Sequence, residues 1–207
     1  MGAADVISES ARPLRPHRSI DHRKLPVHQA GALPAQQVVS AFDEQVERET
    51  AWAPHSHATH ELLWNESGVS TAAVGNRVWT ITPTLGVWIP AGLVHAATAA
   101  AGTWYRTNHF DVTRVPRLAQ GVAVVQITPL LRLLFTRLTS PELSASSRGL
   151  TEKMVLDVIE PAPREITVTI PSAPLLQPIV EALRDDPGDR HSPGDWSRTL
   201  GVSTESA

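Results

Sequence analysis

Five of the nine histidines lie between positions 55 and 109, and three of these fall in one short segment, His55-Ser56-His57-Ala58-Thr59-His60-Glu61. A neutral imidazole is a good metal donor near pH 7, and a carboxylate beside it adds an anionic one. Along a strand, alternate side chains share a face, so His55, His57 and Glu61 have one parity while His60 and Trp64 have the other. His95 follows the turn signal Pro90-Ala91-Gly92 and can arrive from a neighbouring strand as a fourth donor. Three imidazoles and one carboxylate suit a borderline divalent ion, with zinc, manganese, iron, nickel and copper all compatible. Zinc would take four ligands, whereas manganese, iron or nickel more often take six and keep positions open for water or a ligand. His60 is expected at the surface or behind the donors. His109, of the same parity as Tyr105 on a later strand, is a candidate for lining a pocket or else a satisfied core or rim histidine, and Trp79 and Trp88 read first as barrel core and second as candidates for touching a small molecule there.

Such a cluster needs strands from different parts of the chain to meet, and the sequence supplies them. From Val38 to about Thr128 short β-type runs alternate with turns. Ser70–Val74 and Arg77–Ile81 flank Gly75-Asn76, a two-residue hairpin signal. Further runs follow at Leu85–Pro90, Thr103–Val112 and Val122–Ile127, punctuated by Pro83, Pro90 and Pro116. This regular spacing predicts a sandwich or barrel. After Pro129 the apolar period lengthens: Leu130, Leu131, Leu134, Phe135 and Leu138, then Leu150, Met154, Val155 and Val158, predict two amphipathic helices. A brief β-type run, Glu165–Ile170, precedes a third helix marked by Leu175, Leu176, Ile179, Val180 and Leu183. A fourth helix should start at Ser192, with Pro193 in its first turn, Asp195 closing a capping box and Gly201 ending it, and Ser203 should cap another. Residues 1 to about 37, rich in Pro, Arg, His and Gln, have no apolar period and read as a mostly mobile arm.

The spacing resembles the cupin superfamily. Its first motif, H-x-H followed by Glu and then Gly, is matched by His55, His57, Glu61 and Gly68, and its second, P-x-G-x-x-H, by Pro90, Gly92 and His95. Glu49, Ala99 and Gly86 depart from the pattern at turn and packing positions. The resemblance implies a mainly β fold, a double-stranded β-helix or jelly-roll barrel followed by α-helices, with His55, His57, Glu61 and His95 as ligands of a divalent transition metal (Zn, Mn, Fe or Ni).

The C-terminal stretch, Leu183 to Pro187 and then Ser192 to Ser203 with its Leu200-Gly201-Val202-Ser203 ending, resembles the opening of an AraC-type helix-turn-helix domain. Cupin first and DNA-binding domain last is the order of sensor-type AraC regulators. That resemblance implies residues 1–37 as an arm, 38–128 as a cupin sensor domain, 129–171 as a helical dimerisation segment and 172–207 as the truncated start of the DNA-binding domain. It also implies a cytoplasmic, homodimeric regulator responding to a metal or small-molecule effector. The apolar stripes Leu130–Leu138 and Leu150–Ile159 could serve that dimer or pack on the barrel's own outside.

Composition narrows the alternatives. With 42% apolar and 19% charged residues the chain is globular, and with no cysteine it has neither disulfides nor thiolate sites. Its longest apolar run, Ala91 to Ala101, is too short to span a bilayer, so no membrane partner is expected. Net charge is −3, and from Ser172 onward three arginines face six acidic residues, so DNA contact is expected through the missing part of the C-terminal domain. Two other readings remain open: a cupin metalloenzyme of oxygenase or isomerase type, and a metal-free cupin that senses a small molecule.

Overall fold

A computed structural model describes residues 19–116 and 118–202. The first 18 residues of the expected arm and the Ser203 cap lie outside the described residues.

The barrel is one long hairpin rolled up on itself. At its tip β5 (Ser70–Val74) and β6 (Arg77–Ile81) pair around Gly75, whose φ of +58° supplies the left-handed turn residue. Moving outward from the tip, β4 (His60–Ser67) pairs with β7 (Leu85–Ile89), β3 (Thr50–His55) with β8 (His95–Ala99), and β2 (Val39–Gln45) with β9 (Trp104–Phe110), all antiparallel. Successive pairs fall in opposite sheets. Adding β1 (Asp21–Arg23), β10 (Ala123–Gln126) and β11 (Thr167–Thr169) gives a six-stranded sheet ordered β1-β3-β8-β5-β6-β11 and a five-stranded sheet ordered β10-β7-β4-β9-β2. This is the mainly β cupin jelly roll that the motifs imply.

Period-two alternation separates two cores. Leu63, Val87, Ile89 and Tyr105 of the five-stranded sheet face Trp52, Ala72, Trp79 and Ile81 across the barrel interior. On the outer face of the same sheet Leu62, Trp64, Trp88 and Phe110 pack against Leu131, Leu134, Phe135 and Leu138 of α1 (Pro129–Leu138) and Val155 of α2 (Ala145–Val158). Fully burying each large apolar side chain contributes about 1.5–3 kcal/mol. The Thr128 hydroxyl caps α1 by accepting from the Leu131 amide at 3.2 Å. Glu66 then clamps the helix to the sheet: it accepts from Arg132 of α1 at 2.7 Å and from Arg106 of β9 at 3.0 Å, while both guanidiniums lie over the Trp64 ring.

The α1 stripe therefore divides. Leu131, Leu134, Phe135 and Leu138 turn inward, whereas Leu130 and Leu133 remain 47% and 67% exposed. On α2, Leu150 and Met154 are likewise exposed. Farther along are α3 (Gln177–Asp185) and α4 (Pro193–Leu200), the latter with the Ser192–Asp195 capping box and Gly201 at φ +66°.

The arm reading needs correction over its described part. β1 pairs in parallel with β3, Val27 bridges to Ser56, and Gly31 N–H donates to Ala58 O at 2.7 Å. The pattern was silent because Asp21-His22-Arg23 is polar throughout; the pairing is supplied by the free edge of β3.

Candidate metal centre

The ligand segment is not a single strand. β3 ends at His55, the chain bends through residues 57–59, and β4 starts at His60 in the opposite sheet. The shared face expected from parity is replaced by a crossing between sheets. Backbone contacts hold that crossing, among them the Val27–Ser56 bridge, the Gly31 N–H to Ala58 O bond and the Gly92 N–H, which donates to His57 O at 2.9 Å. Gly92 sits at φ +76°, and a Cβ there would come within 3.1 Å of the Ala30 amide nitrogen, so the turn that delivers His95 needs glycine. His95 opens β8 directly opposite His55.

The three imidazoles converge, with donor atoms of His55, His57 and His95 within 4.8 Å of one another. Two nitrogens bound to one zinc at about 2.1 Å would lie at most ~4.2 Å apart, so small side-chain rotations bring the set to bonding distance. Glu61 joins from β4: its Oε2 lies 3.0 Å from His95 Nε2 and 3.4 Å from His57 Nε2. His55, His95 and Glu61 are each no more than 3% exposed.

Hydrogen bonding fixes which ring nitrogen is free. His55 Nδ1 donates to Ala53 O at 2.8 Å and His95 Nδ1 to Leu93 O at 3.0 Å. A carbonyl only accepts, so in both neutral rings Nε2 carries the lone pair. The buried His57 Nε2, His95 Nε2 and Glu61 Oε2 have no well-directed hydrogen-bond partner despite lying so close together. Lone pairs on His95 and Glu61 at 3.0 Å require a cation between them, either a proton or a metal ion. The pKa shifts agree in direction. Burial lowers His57 to about 4, and it lowers His55 and His109 too. Burial also opposes charge on His95 and Glu61, but their mutual contact outweighs it, raising the imidazole and lowering the carboxyl. The set thus offers two imidazoles kept neutral by burial, His55 and His57, with His95 and an ionised carboxylate that share a proton or a metal ion between them, a donor set that fits a divalent transition ion.

The remaining candidates separate. His109 is brought to the cluster: it pairs in register with Glu61, its ring lies 4.8 Å from that of His57, and its Nδ1 is 3.0 Å from Thr59 Oγ1. Tyr105 lies in the barrel interior stacked on Trp52 at 4.7 Å, and burial together with the charges of Glu61 and Glu44 raises its phenol well above the usual value. Trp79 is also in the interior core, its indole N–H donating to Glu165 at 2.9 Å. Trp88 is not brought to the site. It belongs to the outer core beneath α1, because Trp88 and the interior-facing Val87 and Ile89 have opposite parity. His60 is buried there too, accepting from Ala91 N–H at 3.0 Å and stacking on Trp88, and so is not at the surface. Sequence reasoning missed the cavity at the barrel mouth, about 830 Å³, in which His57 and His109 meet Leu33, Gln37, Phe42 and Arg148. Besides the His57 segment and His109, its walls come from the arm, β2, the α1–α2 connection and Arg148 of α2, which carry no motif.

With this geometry in view, the AraC-like ligand binding domain model matches residues 39–158. The chain belongs to that family. The AraC-like domain is 23% identical over 153 residues to the HTH-type transcriptional regulator NimR of Escherichia coli K12, a match covering 72% of this chain and 56% of that relative. The chain thus spans a little over half the length of the curated relative it matches. Among solved structures, apo ToxT of Vibrio cholerae strain SCE256 is similar at 11% identity and a TM-score of 0.41, over 80% of this chain and 70% of that one. Oxalate decarboxylase of Bacillus subtilis is similar at 15% identity and a TM-score of 0.34, over 84% and 43%.

Proposed function

We propose that this AraC-type domain is the effector-sensing region of a transcription regulator and that it holds a divalent transition metal through His55, His57, His95 and Glu61. The observation that carries the reading is the convergence of three buried polar atoms, His57 Nε2, His95 Nε2 and Glu61 Oε2, that lack directed hydrogen bonds. Buried polar groups are ordinarily paired, so a group of them aimed at one point calls for a cation. When bound, the ion would be held by these four residues and would supply a Lewis-acidic centre. The backbone carbonyls of Ala53 and Leu93 hold two of the rings in the ligating tautomer.

The residues act as ligands rather than catalysts. Tyr105 keeps its proton, and both ring nitrogens of His109 lie near threonine hydroxyls, at 3.0 and 3.4 Å. In this reading residues 19–37 and the barrel form the sensor, the exposed faces of α1 and α2 join two copies into a homodimer, and residues 172–207 open a helix-turn-helix domain that contacts DNA. A cytoplasmic location follows from that role; among the described residues no helix is long and apolar enough to cross a membrane.

The test is thermal unfolding of chelator-treated protein reconstituted with Zn(II), Mn(II), Fe(II) or Ni(II). At least one ion should raise the midpoint of the wild type and leave a His57→Ala/His95→Ala double variant unmoved. Equal behaviour of the two proteins would leave the metal-free sensor as the better account.

A further inference from the structure

We infer that Arg148 recognises a carboxylate on a small effector in the cavity at the barrel mouth, and that this contact ties α2 to the occupancy of the cavity. The inference rests on the sensor reading but not on the metal. The cavity, about 830 Å³, is large enough for a drug-sized molecule, and Leu33, Pro34, Phe42 and Leu138 give it an apolar wall. Its charged side chains are Asp43 and Arg148. Asp43 is exposed, so water screens its charge, and it accepts from the Trp104 indole N–H at 3.1 Å, whereas Arg148 is half-buried. Arg148 has only neutral partners, donating to Leu138 O at 2.9 Å and, loosely, to Gln37 Oε1 at 3.4 Å. A guanidinium carries five donors in a planar fork that matches a carboxylate edge, so most of its capacity is unused. An apolar wall with one underused cation selects an anionic molecule with an apolar body.

The same helix holds the cavity's rim at a second point. One turn after Arg148, the buried Glu152 accepts from Val39 N–H at 3.3 Å. Gln37 and Ser40 line the cavity on either side of Val39. A ligand that draws Arg148 away from Gln37 and Leu138 therefore changes how α2 grips residues 37–39 and the end of α1. Glu152 acts as a positioning residue: it reaches the rim backbone and does not line the cavity.

The test uses benzoate and its neutral counterpart benzamide, titrated calorimetrically into the chelator-treated chain so that no metal can hold the carboxylate. Benzoate should bind at least about tenfold more tightly than benzamide. Arg148→Gln should abolish that preference, and Arg148→Lys, which keeps the charge, should retain part of it; circular dichroism confirms that each variant is folded. Hydrogen exchange across α2 should slow with benzoate in the wild type, and Glu152→Ala, which removes the acceptor for the Val39 N–H, should bind benzoate normally but lose that protection. No binding of benzoate, equal binding of the two probes, or an unchanged preference in folded Arg148→Gln would each overturn the inference. Metal content is measured separately, so a chain that takes up metal but ignores benzoate refutes this inference alone, and one that binds benzoate but takes no metal refutes only the metal site.

Discussion

Neighbouring residues on β4 show two ways of burying a polar group. His60 and Glu61 are each about 3% exposed and point to opposite faces of the same sheet. On the outer face His60 accepts a backbone N–H and stacks on Trp88 within a core sealed by α1. On the inner face Glu61 meets His57 and His95 at 3.4 and 3.0 Å, without directed hydrogen bonds. A buried polar group with its own hydrogen bond stabilises the fold, whereas His57, His95 and Glu61 converge within ion-pair range without a directed hydrogen bond, the feature on which the proposed metal site rests. The outer face thus satisfies its polar group within the protein, whereas the inner face leaves its cluster short of directed hydrogen bonds.

The comparison can be broken most forcefully from the outside. Phe135, fully buried and stacked on Trp64, should cost about 3–5 kcal/mol when replaced by Ala, read from urea unfolding. Metal uptake by the folded fraction should not change; a parallel loss would mean the two faces are not independent. On the inner face, metal at a thousandfold excess over its Kd should stabilise the protein by about 4 kcal/mol. Glu61→Gln, which keeps the shape but removes the charge, should remove most of that gain while leaving the chain folded without metal.

Acid gives a third test. The folded pKa of His57 lies at about 4, below its unfolded value, and His55 and His109 are lowered as well. A group lowered on folding contributes stability that is present above its unfolded pKa and lost as pH falls toward its folded pKa. The metal-free protein should therefore lose stability from about pH 6.5 downward toward pH 4. His95 is raised, so its contribution is complete below its unfolded pKa and fades as pH climbs through its folded pKa. Metal and a proton compete for His95 Nε2, so uptake should weaken as pH falls and, in a weakly buffered solution below the folded pKa of His95, should release acid measurable by pH-stat, less of it in His95→Ala.

The smallest effect concerns turns. Gly75→Ala meets only the cost of a positive φ, about 1 kcal/mol, since nothing lies within 4 Å of the added Cβ. Gly68→Ala adds a Cβ 2.8 Å from the Thr103 Cα and should cost visibly more in thermal unfolding. Equal losses would mean that the close approach of the β4–β5 turn to Thr103 carries no weight.

The β5–β6 hairpin, β7, β10 and the first two helices could be placed from alternation, turn residues and helical spacing, because each element's pattern reflects its own half-buried surface. The four metal-site candidates were legible as types and spacings, but the reason they meet was not. Parity treats His55 to Glu61 as one strand, whereas the crossing between sheets is set by contacts from Val27 and Gly92 that no local period records. Trp88 reads from the sequence as core or as a pocket residue, and which core it joins was not legible because an indole suits either and the face of β7 it takes depends on the register with β4. Arg148 and the arm's part in the cavity left no signal, since both come from segments brought together only by the closed barrel.

The most direct measurement is elemental analysis of the chain purified without an affinity tag or chelator, beside the His57→Ala/His95→Ala variant prepared in the same way. Close to one transition metal per wild-type chain and none in the variant is the predicted result. A wild type that holds no metal even after reconstitution with each candidate ion, or a variant that holds as much as the wild type, would contradict the account.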